Sequence, residues 1–225
     1  LRSLGHDIVN HCVNDILVQG AYPIFFMDYY GTDNLNVDEL SNFVGGVSEA
    51  CISNNGVVLL GGETAEMPAV YKSNSKDLVG CIVGYKDERF FKKGKISDGD
   101  VLLGLESSGP HTNGYSLINK ILDSDPDLAD NLPYIYKTLL NPHKSYLKDV
   151  EKFVEIYGYD SIKGMCHITG GGFHDNLRRV VPEELNIILN DLEMPLWCKY
   201  IREWGNISKE DMMKYFNCGI GYILI

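Results

Sequence analysis

Basic residues are scarce in this sequence: 20 Lys and Arg stand against 31 Asp and Glu, a formal net charge of −11 over 225 residues. Such a field repels polyanions, which excludes broad binding of nucleic acid or anionic membrane and requires any small anion to be held by a local site. Missing too is any run near the roughly 20 apolar residues that a membrane-spanning helix needs, and no charged-then-apolar leader precedes the first motif. A cytoplasmic protein with no membrane partner is the expectation. Cysteine pairs at metal or redox spacing are absent: Cys12, Cys51, Cys81, Cys166, Cys198 and Cys218 are scattered, mostly in apolar stretches, and read as reduced core thiols. His6, His143, His167 and His174 show no zinc-like spacing with one another or with cysteine, so no transition-metal site is assigned. Internal repeats and low-complexity segments are lacking as well.

What is present is enough apolar residue, 44% of the chain with 11% aromatic, to bury a substantial core in one large or two small domains. Apolar residues recur at helical spacing over Asp7–Gln19, with Asp7, His11, Asn14 and Asp15 on the opposite face. Pro23–Met27 and Val57–Leu60 have the length and composition of buried strands, separated by a helix from Val37 to Cys51 that stops at Asn55-Gly56; Leu78–Tyr85 is a third strand. The charged, glycine-punctuated stretch Asp87–Asp100 marks a junction, placed near Ser97, giving domains 1–97 and 98–225. Beyond it come a strand at Val101–Leu105, a helix from Tyr115 to Leu122 and a polar loop rich in Asp, Asn and Pro. A helix with Tyr146, Val150 and Val154 on one side follows, then a glycine turn, a strand at Asn186–Leu189 and a helix carrying Trp197, Ile201 and Trp204. The mixture predicts an α/β or α+β fold in two domains. Both ends read as cut, because Leu1 leads almost directly into a helix and the chain stops inside the apolar run Ile220–Ile225.

Three blocks carry chemistry. In Gly61-Gly62-Glu63-Thr64-Ala65-Glu66-Met67-Pro68, two glycines end a strand and admit a ligand close to the backbone, and Glu63 with Asp15 can share a magnesium ion that cancels charge on ATP phosphates. A strand-to-turn connection with exposed acids stands beside that reading. Ser107-Ser108-Gly109-Pro110-His111-Thr112-Asn113-Gly114-Tyr115-Ser116 runs into a helix start, where N–H groups and hydroxyls can hold an anion around His111, in either a structural or a catalytic role. Ile168-Thr169-Gly170-Gly171-Gly172-Phe173 precedes a short helix from Asp175 to Val181 and suits either a ribose phosphate or a tight turn.

Together, Val13-Asn14-Asp15, Phe25-Phe26-Met27-Asp28-Tyr29-Tyr30, Gly61–Pro68 and Ser107–Ser116 resemble, in order and spacing, the aminoimidazole ribonucleotide synthetase (phosphoribosylformylglycinamidine cyclo-ligase) family. Ile168–Phe173 and Phe216-Asn217-Cys218-Gly219-Ile220-Gly221 extend the resemblance over nearly the whole chain. It implies an N-terminal α/β domain whose sheet forms a barrel with a second subunit of a homodimer, a C-terminal α/β domain with a mixed sheet, and active sites in clefts involving both domains. It also implies ATP and Mg2+ as cofactors and formylglycinamidine ribonucleotide as substrate: the formyl amide oxygen is phosphorylated, an amidine nitrogen attacks that carbon, phosphate leaves and the imidazole closes. Carried over residue by residue, Asp15 and Glu63 are metal ligands. Asn14, Asp15, Asp28, Gly61, Gly62, Glu63 and Thr64 line the nucleotide site, and Ser107, Gly170, Gly171 and Gly172 bind substrate. Ser108, His111 and Asn113 face the transferring phosphate or the amide, with His111 stabilising charge or moving a proton. The family's upstream glycine-rich segment with its lysine, its upstream Asp-Gly-Val-Gly-Thr-Lys-like strand and its last sheet elements have no counterpart in these residues.

A sister enzyme that activates selenide, a carbamoyl group or thiamine phosphate with ATP shares the Asn14-Asp15 and glycine-glycine-acid signals, whereas the Ser107–Ser116 block argues against it. A non-catalytic dimerisation module with the same fold is the alternative of a different class.

Overall fold

The computed structural model describes residues 1–92, 94–125, 133–190 and 192–225. Lys93 of the predicted junction and residues 126–132 of the predicted Asp-, Asn- and Pro-rich loop lie outside them. The chain divides into two compact units, Leu1–Glu88 with Ser145–Ile156, and Arg89–Lys144 with Tyr157–Ile225. Among the described residues no helix is long and apolar enough to cross a membrane.

In the first unit, helix α1 (Arg2–Leu17) buries Val9, Val13 and Leu17 at the predicted periodicity, and helix α2 (Val37–Ser53) buries Phe43, Val47 and Ala50. Asn36 caps α2, its side-chain oxygen accepting from the N–H groups of Asp38 at 3.0 Å and Glu39 at 3.1 Å. Acids at Asp38 and Glu39 complement the positive end of that helix. The two helices meet backbone to backbone. A Cβ on Gly5 would stand 2.4 Å from the Phe43 carbonyl oxygen, and one on Gly46 would stand 2.0 Å from that of Arg2.

Strand β1 (Ala21–Thr32) is the centre of a three-stranded sheet, parallel to β2 (Val58–Glu66) and antiparallel to β3 (Lys76–Lys86). α1 covers one face: Cβ atoms on Gly80 and Gly84 would touch Ile8, Cys12 and Ile16. The other face carries the cross-strand pairs Phe25–Val83, Met27–Cys81 and Tyr29–Val79 and is open, with Val58 55%, Val79 50% and Tyr85 55% exposed. Cys81 is therefore an exposed thiol, in contrast to the expected core position; all six cysteines are free. Helix Leu147–Tyr157, placed beyond the junction by its position in sequence, packs with this first unit over Ser145–Ile156.

The second unit holds β4 (Leu103–Glu106), β5 (Met165–His167) and β6 (Ile220–Leu224) in the order β4-β6-β5, pairing Leu103 and Met165 with Leu224. Both ladders are antiparallel, so the expected mixed sheet is corrected for the second unit; the mixed sheet is in the first. Asn186–Leu189 is not a strand: no ladder partner reaches it among the described residues, Ile187 and Leu189 pack on the core, and Ile188 is 72% exposed. Around the sheet, Trp197, Ile201, Met212, Phe173 and Phe216 form the core, Trp197 meeting Phe216 edge-on at 5.9 Å.

Gly46→Ala should force α1 and α2 apart and lower unfolding free energy by about 1–3 kcal/mol, the usual cost of overpacking. Urea denaturation followed by circular dichroism measures it.

Candidate functional site

The Gly61–Thr64 block is part of a strand and not the turn expected after one. β2 continues through it in register with β1, pairing Met27 with Gly61, Asp28 with Gly62, Tyr29 with Glu63 and Tyr30 with Thr64. Pairing explains Gly62, whose Cβ would lie 2.4 Å from the Asp28 carbonyl oxygen and 2.6 Å from its Oδ1, whereas Gly61 borders open space. Partial burial beside this glycine pushes the Asp28 carboxyl above its ordinary value.

Side-chain alternation splits the predicted metal pair. Glu63 shares the open face with Tyr29, and its Oε1 accepts from the Thr64 N–H at 3.0 Å. Asp15 projects from α1, on the other side of the sheet, and pairs with His11 Nε2 at 3.1 Å. Within one chain these carboxylates do not converge, so they do not fit a shared magnesium ion. Asn14 is also corrected: it is fully buried, and its Oδ1 accepts from the Tyr146 N–H at 2.9 Å, anchoring the start of helix Leu147–Tyr157.

In the second unit the Ser107–Gly114 loop is held from two sides. Asn217, 3% exposed, accepts at its Oδ1 from the Ser107 hydroxyl at 3.1 Å and from the Gly219 N–H at 2.9 Å, while its Nδ2 donates to the Gly109 carbonyl at 2.9 Å. The Ser107 N–H donates to the Gly219 carbonyl at 2.8 Å. On the other flank the Ser108 hydroxyl donates to the Pro142 carbonyl at 2.6 Å, and Asn141 Nδ2 donates to the Ser108 carbonyl at 3.0 Å. These bonds hold His111 in the left-handed region at φ 59°, a conformation that a non-glycine residue adopts only when its surroundings impose it. The Ser108 N–H donates to His111 Nε2 at 3.2 Å, so a neutral ring carries its proton on Nδ1.

His111 stacks on His143 with ring centroids 4.0 Å apart, and His143 Nε2 stands 3.0 Å from His167 Nε2. All three are buried, and each has a ligand nitrogen within 4.8 Å of the others. The sequence reading that assigned no transition-metal-type cluster rested on local spacing, which is blind to residues 32 and 24 positions apart; folding brings them together. Two residues after His111, Asn113 keeps a buried Nδ2 donor with no partner among the described residues, and its Oδ1 lies 3.4 Å from where a Cβ on Gly170 would stand. A buried, unanswered donor beside a glycine backbone is what a ligand oxygen satisfies.

The three loop glycines differ. Gly170 borders Asn113, Gly171 takes φ 91° at the start of helix Gly172–Arg178, and a Cβ on Gly172 would lie 1.9 Å from the Met213 carbonyl oxygen. Gly172 thus answers a packing demand. Asn176 ties this loop together, donating from Nδ2 to the carbonyls of Thr169, Gly170 and Gly172. A cleft of about 350 Å3 adjoins the Ser107–Ser108 turn, lined also by Lys137, Thr138, Asn141 and Trp197. Sequence reasoning passed over His143, His167, Asn176 and Asn217 as site residues; only Asn217 carried a signal, inside the closing block Phe216–Gly221.

Solved structures share the fold. Over 99% of the chain and 71% of the other, the fold matches a crystal structure of thiamine monophosphate kinase from Aquifex aeolicus with TM-score 0.64 and 18% identity. It likewise matches the hydrogenase maturation protein HypE in complex with ATP (TM-score 0.64, 17% identity, 99% of this chain and 62% of that one). A HypE–HypF complex gives TM-score 0.62 at 19% identity over 99% and 68%. These likenesses concern the fold. The family is then set by sequence: the N-terminal domain of AIR synthase related protein matches residues 1–85 and its C-terminal domain matches residues 97–225. The chain belongs to the AIR synthase related protein family.

Asn217→Ala should loosen the Ser107–Gly109 turn and cost about 1–3 kcal/mol, because one buried and two part-buried polar groups lose their partner. Chemical denaturation reads the loss.

Proposed function

We propose that this chain carries an ATP-dependent cyclo-ligase activity of de novo purine biosynthesis, converting formylglycinamidine ribonucleotide to 5-aminoimidazole ribonucleotide with release of ADP and phosphate. The observation that carries the reading is the approach of Asn113 to Gly170, its Oδ1 3.4 Å from where a Cβ on Gly170 would stand, in which the Ser107–Ser116 block meets the Ile168–Phe173 block. ATP use is supported by the relatives of the same fold: a thiamine monophosphate kinase complexed with AMPPCP and TMP, and HypE in complex with ATP.

In this reading the γ-phosphoryl group passes from ATP to the formyl amide oxygen, leaving ADP. An amidine nitrogen of the same substrate then attacks the activated carbon, phosphate leaves with its electron pair, and loss of a proton gives the imidazole. Attack is intramolecular, so holding the substrate folded supplies much of the rate. Asn113 Nδ2 donates to an oxygen of the amide or of the phosphoryl group. His111 presents its Nδ1 proton to the negative charge that develops, and Ser108, by orienting that ring through its N–H, selects the tautomer. Gly170 admits the substrate phosphate and Ser107 lines its approach. Asp28, with Gly61, Gly62, Glu63 and Thr64, forms the nucleotide side in domain 1–97, and domain 98–225 binds substrate. No step is assigned to Asp15, Asn14 or a magnesium ion shared by Asp15 and Glu63.

The open sheet face is the proposed homodimer surface, closing into a barrel with a second copy: Val58, Val79, Val83 and Tyr85 are apolar residues whose exposure a partner strand layer would remove. A second reading, phosphoryl transfer to thiamine monophosphate or activation of a carbamoyl group, is favoured by the kinase and HypE folds. The Ser107–Ser116 block sets the cyclo-ligase ahead of it.

Incubation of the protein with formylglycinamidine ribonucleotide, ATP and magnesium should yield aminoimidazole ribonucleotide and ADP in equal amounts. A folded protein that makes no imidazole overturns the proposal, and phosphorylation of thiamine monophosphate instead selects the second reading. His111→Ala should keep the fold and slow turnover by roughly tenfold or more. Val83→Glu should shift the mass measured by sedimentation from dimer to monomer.

A further inference from the structure

The glycine loop has its carbonyls gathered on one side. Asn176, 2% exposed on helix Gly172–Arg178, donates from Nδ2 to the carbonyls of Thr169 at 3.3 Å, Gly170 at 3.2 Å and Gly172 at 2.8 Å. Its Oδ1 accepts from the Thr169 hydroxyl at 3.2 Å, which fixes the amide with its donors toward the loop. We infer, resting on the cyclo-ligase reading for the identity of the substrate, that Asn176 is a positioning residue. By drawing these carbonyls inward it turns the Gly170 and Gly171 N–H groups outward to hold the phosphate of the ribonucleotide.

Peptide geometry carries the step. In a trans peptide the carbonyl of one residue and the N–H of the next point in opposite directions, and no peptide bond among the described residues is cis. The Thr169 and Gly170 carbonyls that face Asn176 therefore send the N–H groups of Gly170 and Gly171 the other way. Neither of these N–H groups donates to a backbone carbonyl among the described residues, whereas the Gly172 N–H donates to the Thr169 carbonyl at 3.1 Å. Burial follows the same division: Asn176 and Gly172 are buried, Gly171 is half-buried and Gly170 is exposed.

Room and a further donor stand at Gly170. A Cβ there would meet one atom within 4 Å, the Asn113 Oδ1 at 3.4 Å. The Nδ2 of the same amide is the buried donor without a partner among the described residues. An anion's oxygens at Gly170 thus have two outward N–H groups and a side-chain amide beside them, the local site that a chain of net charge −11 needs for an anionic substrate. One acid is near: Asp175 Oδ2 would stand 2.6 Å from a Cβ on Gly171, and its carboxylate pairs with His174 Nδ1 at 3.0 Å. That charge disfavours an anion beside it and leaves the phosphate to the Gly170 side. Asparagine is specified at the centre of the loop, because a carboxylate in its place would set oxygen against three carbonyls and an apolar side chain would leave them without a donor.

Kinetics separate a positioning role from a merely structural one. Asn176→Ala and the isosteric Asn176→Asp should raise KM for formylglycinamidine ribonucleotide by roughly tenfold or more, the loss expected when hydrogen bonds to a charged group go, while KM for ATP stays within about twofold. Asn176→Asp should be the worse of the two. Equal rises in both constants, or no rise in a variant that melts like the parent, overturn the inference. A second measurement needs neither turnover nor a variant that folds. In parent protein carrying isotope-labelled glycine, ribose 5-phosphate added without ATP should shift the Gly170 and Gly171 amide resonances saturably. Unmoved amides overturn the positioning role even in a protein that makes imidazole. Shifted amides in a protein that makes none support the role while the cyclo-ligase reading falls.

Discussion

Asn217 holds the Ser107–Gly114 loop of the second unit in place. One buried amide accepts from Ser107 and Gly219 and donates to Gly109, so the turn that begins the Ser107–Gly114 loop cannot shift without leaving polar atoms unpaired. With that end anchored, and with Ser108 bound to Pro142 and Asn141 on the other flank, the chain reaches His111 in a left-handed conformation and delivers it, buried, onto His143. Strain at one residue is carried by several hydrogen bonds around it. Gly114, at φ 81° with a phantom Cβ 2.2 Å from Phe216, closes the loop where only a glycine fits and lets the following helix start.

The first unit depends on a different constraint, the two-residue alternation of a strand. Because β2 runs on through Gly61-Gly62-Glu63-Thr64, successive side chains go to opposite faces of the sheet, and Asp28 and Glu63 follow suit. That alternation assigns Gly62 to close approach against Asp28, puts Glu63 on the open face, and separates it from Asp15 on α1. It also gathers Val79, Val83 and Tyr85 on a single apolar face, the one opposite to that covered by α1.

Much of the fold was legible. Helices α1 and α2, and the one carrying Trp197, repeat apolar residues at helical period, and their faces in the structure are those the period marks. Less legible was anything whose cause is a partner distant in sequence. Asn186–Leu189 has strand composition and finds no ladder among the described residues, whereas Met165–His167, to which the sequence reading assigned no strand, pairs with β6. Asn14 reads as a site residue on a polar helix face, yet Tyr146, 132 positions later, takes its oxygen.

By itself the sequence determined the secondary-structure periods, the acidic field that rejects polyanions, and the motif blocks through which the family is recognised, since each depends on residues close together in the chain. Tertiary structure alone decided which side chains share a space. The meeting of His111 with His143 and His167, the clasp of Asn217 on the loop before them, and the parting of Asp15 from Glu63 all follow from strand pairing and packing between distant segments, and local spacing carries no record of either.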